Sequence, residues 1–222
     1  MREQYLMQLK KLHEAMLEMG ELCQQAIGLA IRALGECNDA LIAQEQETDS
    51  GIDKLEREIE SLCLQLLLKQ QPVASDLRDI SAALKMISDM ERIGDQASDI
   101  AELAVYLKEL PVHYKLHLEQ MAAEAIKMVN RSIDAFVRRD LTLAGEVIAY
   151  DDVVDQYFVQ IKDEVIALIS KDNTMGAYCI DLLMVAKYLE RIADHATNIA
   201  EWVEYSILGR RPKDGVLPQN EP

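Results

Sequence analysis

The sequence is poor in the residues that build sheets and tight turns. Of its 222 residues only 5% are aromatic, nine are glycine and five are proline. Strands are enriched in aromatic and β-branched residues, and hairpins rely on glycine, so this scarcity argues against an all-β protein. Half of the residues are hydrophobic and 28% are charged, which is typical of a folded globular protein. We therefore expect a helical fold.

Positive charge is also scarce. The chain has 23 lysines and arginines against 39 aspartates and glutamates, and its formal net charge is −16. A protein this acidic repels phosphate backbones, which argues against direct binding of nucleic acid. An acidic surface suits metal cations or the basic faces of partner proteins.

Long apolar runs and closely spaced cysteines are missing as well. No window approaches the run of about 20 apolar residues that a membrane-spanning helix needs. The first residues lack the apolar stretch of a signal peptide, so we expect a cytoplasmic protein without membrane insertion. The four cysteines, Cys23, Cys37, Cys63 and Cys179, form no Cys-x-x-Cys motif. We interpret them as small apolar residues in a reducing compartment, not as a zinc or redox site.

The chain contains one unit twice. Residues 90–97 read Met-Glu-Arg-Ile-Gly-Asp-Gln-Ala, and residues 189–196 read Leu-Glu-Arg-Ile-Ala-Asp-His-Ala, at an offset of 99 (190 − 91). A second match, between residues 49–53 and 151–155, has an offset of 102 (151 − 49). Such self-similarity predicts two structurally similar halves.

Apolar residues recur in alternating steps of four and three, which predicts six long helices, three in each unit. The seam of the third helix includes Met86, Met90, Ile93, Ala97 and Ile100. The seam of the sixth helix has the same spacing and includes Val185, Leu189, Ile192, Ala196 and Ile199. Because short loops make consecutive helices antiparallel, we predict an all-α fold of two tandem, repeat-related three-helix bundles packed side by side. The predicted boundaries are 1–110 for the first bundle, 111–208 for the second and 209–222 for a flexible tail.

Capping and proline signals predict the helix ends. Pro72 follows the end of the second helix, because the residue before a proline avoids helical angles. The third helix is expected to begin near Ser75 and the fourth near Val112. Asp140 can cap the fifth helix, and Asp172 begins a turn that precedes the sixth.

Each unit carries acidic residues four positions apart on its second and third helices. On a helix, residues i, i+4 and i+8 form a row with steps of about 6 Å. The rows consist of Asp49, Asp53, Glu91, Asp95 and Asp99 in the first unit and Asp151, Asp155, Glu190, Asp194 and Asn198 in the second, with Glu102 and Glu201 as possible extensions. Like charges at this spacing destabilise a helix by roughly 0.2–0.5 kcal/mol per pair. Rows at repeat-related positions therefore indicate that something offsets the repulsion.

Two interpretations of these rows stay open from spacing alone. The first is an ordinary solvated face of an acidic protein. The second is a metal site, because the same helix face carries Leu84 and Ile87 just before Glu91, and Gly94 leaves room beside the row. Oxygen ligands beside an apolar wall suit Mg, Mn, Fe or Zn. A di-iron oxidase is excluded, since it needs Glu-x-x-His and no glutamate here has a histidine three residues later.

The motifs Asp76-Leu-Arg-Asp-Ile, Met90-Glu-Arg-Ile-Gly-Asp-Gln-Ala and Leu189-Glu-Arg-Ile-Ala-Asp-His-Ala-Thr-Asn-Ile-Ala-Glu resemble the PhoU family of phosphate-uptake regulators. The resemblance extends over essentially the whole chain up to the tail. It implies two three-helix bundles, a cytoplasmic and often dimeric protein, and multinuclear metal clusters on the Glu/Asp-x-x-x-Asp rows. It also implies a negative regulator of the phosphate-starvation response that links the ATPase subunit of a phosphate ABC transporter to a membrane sensor histidine kinase.

The sequence departs from the family pattern at Ala193, where glycine is preferred, and at Asn198, where the first unit has Asp99. Because asparagine lacks the charge, we expect the second metal site to be weaker or to hold fewer ions. No catalytic residue is assigned, since the chain has no nucleophile elbow, phosphate-gripping glycine loop or His-Glu-x-x-His. Two alternatives remain: a metal-dependent phosphoesterase, because paired metals perform that chemistry, and a helical adapter without metal.

Overall fold

The computed structural model describes residues 2–36, 38–70, 74–107 and 116–210, and within these ranges it contains helices and no strand. The helices are α1 (Arg2–Glu36), α2 (Asp39–Gln70), α3 (Ala74–Leu107), α4 (Leu118–Arg138), α5 (Leu141–Lys171) and α6 (Gly176–Leu208). A three-residue 3-10 helix, Asn173–Met175, joins α5 to α6. The predicted all-α class is confirmed.

Side-chain caps mark the start of α5 and the start of the 3-10 helix that follows it. The Asp140 carboxylate accepts a hydrogen bond of 3.0 Å from the Leu143 backbone N–H, and Asp172 accepts one of 2.9 Å from the Thr174 N–H. Both capping predictions are confirmed, since each carboxylate satisfies an N–H that no helical carbonyl can reach. At the end of α6, Gly209 adopts a left-handed φ of 75° and donates its N–H to the Tyr205 carbonyl.

The predicted start of the fourth helix near Val112 is wrong. Leu116 and His117 are not helical, and the first helical hydrogen bond runs from the Met121 N–H to the His117 carbonyl at 2.9 Å. The helix therefore begins at Leu118. Val112 itself lies outside the described residues, as do Cys37, Pro72 and the predicted tail from residue 211 onward.

The six helices form two bundles that share one apolar core. Helices α1–α3 pack on one another, as do α4–α6, while α3 also packs on α6 and α1 on α4. The core is continuous across this boundary, and its fully buried side chains include Met90, Ile93, Leu189 and Ile192. The prediction of two bundles side by side is confirmed.

Helices α3 and α6 run antiparallel along the boundary between the bundles. Near one end the Arg78 guanidinium donates to the Ser206 carbonyl at 3.3 Å, and further along Asp89 accepts from Asn198 at 3.2 Å. Because both contacts join residues from different halves of the sequence, this register is set by tertiary packing. None of the helices in the described part of the chain is long and apolar enough to cross a membrane.

Two glycines of α1 give a test of the packing between the bundles. A β-carbon at Gly20 would overlap the Cδ1 methyl of Ile133 in α4, whereas one at Gly28 would meet nothing within 4 Å. Gly28→Ala should stabilise the protein by about 1 kcal/mol, because alanine favours the helix. Gly20→Ala gains the same preference but must displace Ile133, so its free energy of unfolding should fall below that of Gly28→Ala by about 1 kcal/mol or more.

Urea unfolding of both variants measures this difference. Ile133→Val removes the overlapping methyl, so the double variant with Gly20→Ala should show favourable coupling in a double-mutant cycle. Equal stability of the two alanine variants, with no coupling to Ile133→Val, would show that α1 and α4 do not approach each other in this way.

Candidate functional site

In the first unit, Gly94 lets an acidic side chain of α2 lie directly against α3. A β-carbon at Gly94 would lie 2.8 Å from Asp49 Oδ1 and 3.0 Å from Ile52 Cδ1. Both distances are shorter than ordinary contacts, so any larger residue at this position would push the Asp49 carboxylate away. Ile52 is fully buried and forms the apolar wall beside Asp49.

The predicted acidic residues of α2 and α3 lie close enough to influence one another's ionisation. Burial raises the pKa of Asp49, and the charges of Asp53 and Asp95 raise it further. Burial and then Asp95 likewise raise the pKa of Glu91. Arg92 opposes this repulsion in part, through contacts of 2.8 Å to Asp95 and 3.4 Å to Glu91. The structure therefore brings these four carboxylates together.

The second unit repeats the arrangement between α5 and α6. Burial raises the pKa of Asp151 from 3.8 to about 6, and the charges of Asp155 and Asp194 add to the effect. Burial also raises the pKa of Asp194, with Glu190 as the next cause. Lys187, one turn before Glu190, forms an ion pair with it. Four predicted acidic residues therefore lie near one another between α5 and α6, as their counterparts do between α2 and α3.

Asp99 and Asn198, which end the two α3 and α6 rows, lie nearer the boundary between the bundles. The Asn198 amide donates to Asp89 of α3. Burial, Glu102 and Asp95 raise the pKa of Asp99, and the charge of Arg191 in α6 lowers it. Asp99 thus lies between its own row and the other bundle. A ligand role for Asn198 stays a prediction: its Nδ2 donates to Asp89, and its Oδ1 is the atom that could bind a cation.

A further acidic residue, Glu45, was not among the predicted site residues; it is fully buried on α2 one turn before Asp49. Burial raises its pKa from 4.5 to about 7, with Asp49 as the next cause and a smaller contribution from Glu102. The Ser98 hydroxyl lies near enough to favour the ionised form, but it makes no hydrogen bond of standard geometry with the carboxylate. The spacing of four from Asp49 was visible in the sequence. Glu45 does not stand out when the two repeats are compared, because the equivalent residue of the second unit is Val147.

The donors suit a hard cation, although they do not close around one point. Within the described ranges, no three histidine, cysteine, aspartate or glutamate side chains converge closely enough to hold a metal ion. Several buried oxygens near the rows have no hydrogen-bond partner among the residues that the structure describes, namely both of Glu45, Oε2 of Glu204 and Oγ1 of Thr197. Buried oxygens require a partner, and a cation can supply it once the neighbouring carboxylates rotate toward it. The residues present therefore fit a metal in chemistry.

Fold and site together define a class: an all-α protein of two repeated bundles, each with acidic residues packed between its second and third helices. The model of the PhoU domain matches residues 16–104 and 118–203, one match in each half. The chain belongs to the PhoU family.

Relatives and solved structures agree with this membership. A Pseudomonas aeruginosa protein, the phosphate-specific transport system accessory protein PhoU homolog, is 35% identical over 210 residues, which cover 93% of this chain and 86% of that protein. A Clostridium acetobutylicum protein of the same name is 35% identical over 206 residues, covering 91% and 94%. The crystal structure of PhoU from Pseudomonas aeruginosa superposes with a TM-score of 0.86 at 34% identity and covers 93% of this chain and 100% of that one. The phosphate transport system regulatory protein PhoU from Streptococcus pneumoniae has a TM-score of 0.83 at 27% identity, with coverage of 93% and 98%.

The raised pKa values predict how stability depends on pH when metal is removed by a chelator. The folded protein keeps a proton on Asp151 up to about pH 6, and on Glu45 up to about pH 7, whereas the ordinary values are 3.8 and 4.5. Between those limits the folded state binds more protons than the unfolded chain, so raising the pH lowers the free energy of unfolding. The melting temperature should therefore be higher at pH 5 than at pH 7.5.

Asp151→Asn and Glu45→Gln should each make this decline shallower, because an amide does not titrate. The exposed Asp163 of α5 provides a control, and Asp163→Asn should leave the slope unchanged. Melting curves between pH 5 and 7.5 measure the effect. A melting temperature that rises over this range would contradict it.

Proposed function

We propose that this protein is a non-catalytic accessory regulator of phosphate transport that binds metal on its acidic rows. It acts in the cytoplasm as a negative regulator of phosphate uptake and of the phosphate-starvation response. The single observation that carries the proposal is the close packing of carboxylates at equivalent positions of both bundles, in a chain of the PhoU family. Relatives named as phosphate-specific transport system accessory proteins support the link to phosphate transport.

The metal ligands proposed for each unit come from two neighbouring helices. They are Asp49, Asp53, Glu91, Asp95 and Asp99 in the first unit and Asp151, Asp155, Glu190, Asp194 and Asn198 in the second, with Glu102 and Glu201 as possible additional ligands. A bound divalent or trivalent cation, such as Mg, Mn, Fe or Zn, would neutralise the repulsion among these carboxylates, which adds to burial in raising the pKa values of Asp49, Glu91, Asp151 and Asp194. Because it would bind the folded state alone, it would also stabilise that state by mass action.

The first unit should bind metal more tightly than the second. Gly94 leaves space for the Asp49 carboxylate against α3, whereas its counterpart Ala193 fills the same position with a methyl group and is almost fully buried. Asp99 offers a carboxyl group beside its row, while Asn198 is neutral and hydrogen-bonds Asp89. Fewer anionic ligands lower affinity for a hard cation.

Substitution of one central carboxylate in each unit tests the metal sites. Asp95→Asn should remove more metal than Asp194→Asn, and the double variant should lose most of it while keeping its helical circular dichroism spectrum. Both side chains lie off the apolar core, so their loss should not unfold the bundles. Metal content after purification without chelator, together with the melting temperature, gives the readout, and Asp163→Asn is the control.

Equal metal content in all these variants, or no metal in the wild type, would support the alternative interpretation, in which the acidic rows are a solvated face. The protein would then be a helical adapter without metal. The other alternative, a metal-dependent phosphoesterase, predicts hydrolysis of a phosphate ester with added Mn²⁺ or Mg²⁺. Arg92, the basic residue beside the first row, is engaged with Glu91 and Asp95, which leaves it poorly placed to hold a substrate phosphate.

The proposed partners are the ATPase subunit of a phosphate ABC transporter and a membrane sensor histidine kinase, which the protein contacts as a homodimer. A regulator that catalyses no reaction acts by binding other proteins. In a strain with no second copy of the gene, deletion should switch on the phosphate-starvation genes even when phosphate is plentiful. A reporter fused to one of those genes measures the effect.

Complementation with the wild-type gene should restore repression. The Asp95→Asn, Asp194→Asn double variant then shows whether the metal sites are needed for regulation, with Asp163→Asn as the matched control. Full repression in the deletion strain would contradict the regulatory role.

A further inference from the structure

Glu45 is a buried carboxylate that the metal sites described above do not use. It is fully buried on α2, and neither of its oxygens has a hydrogen-bond partner among the residues that the structure describes. A carboxylate removed from water without a partner destabilises the fold, so this position calls for an explanation. Either the carboxyl group stays protonated and has no binding role, or it binds a ligand.

The neighbours of Glu45 are themselves oxygen donors. Asp49 lies one turn further along α2, and its charge acts on Glu45. Across the groove, Ser98 and Glu102 lie one turn apart on α3 and also act on Glu45. Glu102 is exposed at the edge of the groove between α2 and α3, whereas Glu45 is buried at the bottom of that groove. Three carboxylates and a hydroxyl from two helices thus lie near one another at the inner end of the first row, and the carboxylates would have to rotate to converge on one cation.

The second unit lacks this buried carboxylate. Its equivalents of Asp49, Ser98 and Glu102 are Asp151, Thr197 and Glu201, all of which carry oxygen donors. The equivalent of Glu45 is Val147, which is fully buried and has no donor. The two bundles therefore differ at the buried position of Glu45, and they differ also in that Glu201 is buried whereas Glu102 is exposed.

We propose that Glu45 is a ligand, found only in the first unit, of a divalent cation that it holds together with Asp49 and Glu102. This inference rests on the proposed function, in that the acidic rows bind metal at all. It adds an anionic ligand from the interior, out of reach of bulk water, to a site whose other carboxylates come from the helix surface. More anionic ligands raise affinity for a hard cation, so this site should be the tightest in the protein.

Isothermal titration calorimetry, in which Mn²⁺ is added to the chelator-treated full-length protein, tests the assignment. Glu45→Gln keeps the shape of the side chain and removes its charge, while Glu45→Val reproduces the second unit. In both variants the tightest Mn²⁺ site should weaken at least about tenfold, the lower limit for losing even an indirect metal contact. Glu47→Gln, at an exposed position of the same helix, should bind as the wild type does.

The rise in melting temperature on adding Mn²⁺ provides a second readout. It should be smaller in Glu45→Gln than in the wild type, while the melting temperature in chelator should not fall. If Glu45→Gln binds Mn²⁺ like the wild type, Glu45 is a silent protonated acid and the inference is overturned, although the metal sites of the proposed function stand. If the wild type binds no Mn²⁺, both the inference and the metal-binding part of the proposed function fail.

Discussion

The structure depends on an apolar core strong enough to hold like charges together. The seam between α3 and α6 buries Met90, Ile93, Leu189 and Ile192 completely. Burial of one such side chain contributes about 1.5–3 kcal/mol. A pair of like charges one helical turn apart costs only about 0.2–0.5 kcal/mol. A few core residues therefore suffice to keep each acidic row in place, and burial in turn raises the pKa values of Asp49, Glu91, Asp151 and Asp194.

The two bundles share a scaffold but differ in the details of their acidic faces. The packing between α3 and α6 constrains both helices in the same way, which explains why their apolar seams have the same spacing. The groove between the second and third helix of each unit is less constrained. There the first unit has Gly94 and Glu45, and the second has Ala193 and Val147. Each difference changes how much space or charge is available to a cation.

Much of this fold follows from the sequence, because helix period, capping residues and the internal repeat are local signals. The caps at Asp140 and Asp172 act within three residues of their own position. The start of α4 did not follow, since it depends on the conformation of His117, which no local motif marks. The contact between Asn198 and Asp89 could not be predicted either, because it requires the register of α3 against α6. The position of Glu45 four residues before Asp49 is visible in the sequence. A search for features common to both repeats excludes it, because only the first repeat has a carboxylate there.

Anomalous X-ray scattering from crystals grown with Mn²⁺ tests most directly the central claim that these packed carboxylates are cation sites. The account predicts a peak between α2 and α3 within coordination distance of Asp49 and Asp95, and a second, weaker peak between α5 and α6 beside Asp151 and Asp194. Peaks confined to surface acids elsewhere, or no peak at all in crystals saturated with Mn²⁺, would contradict it.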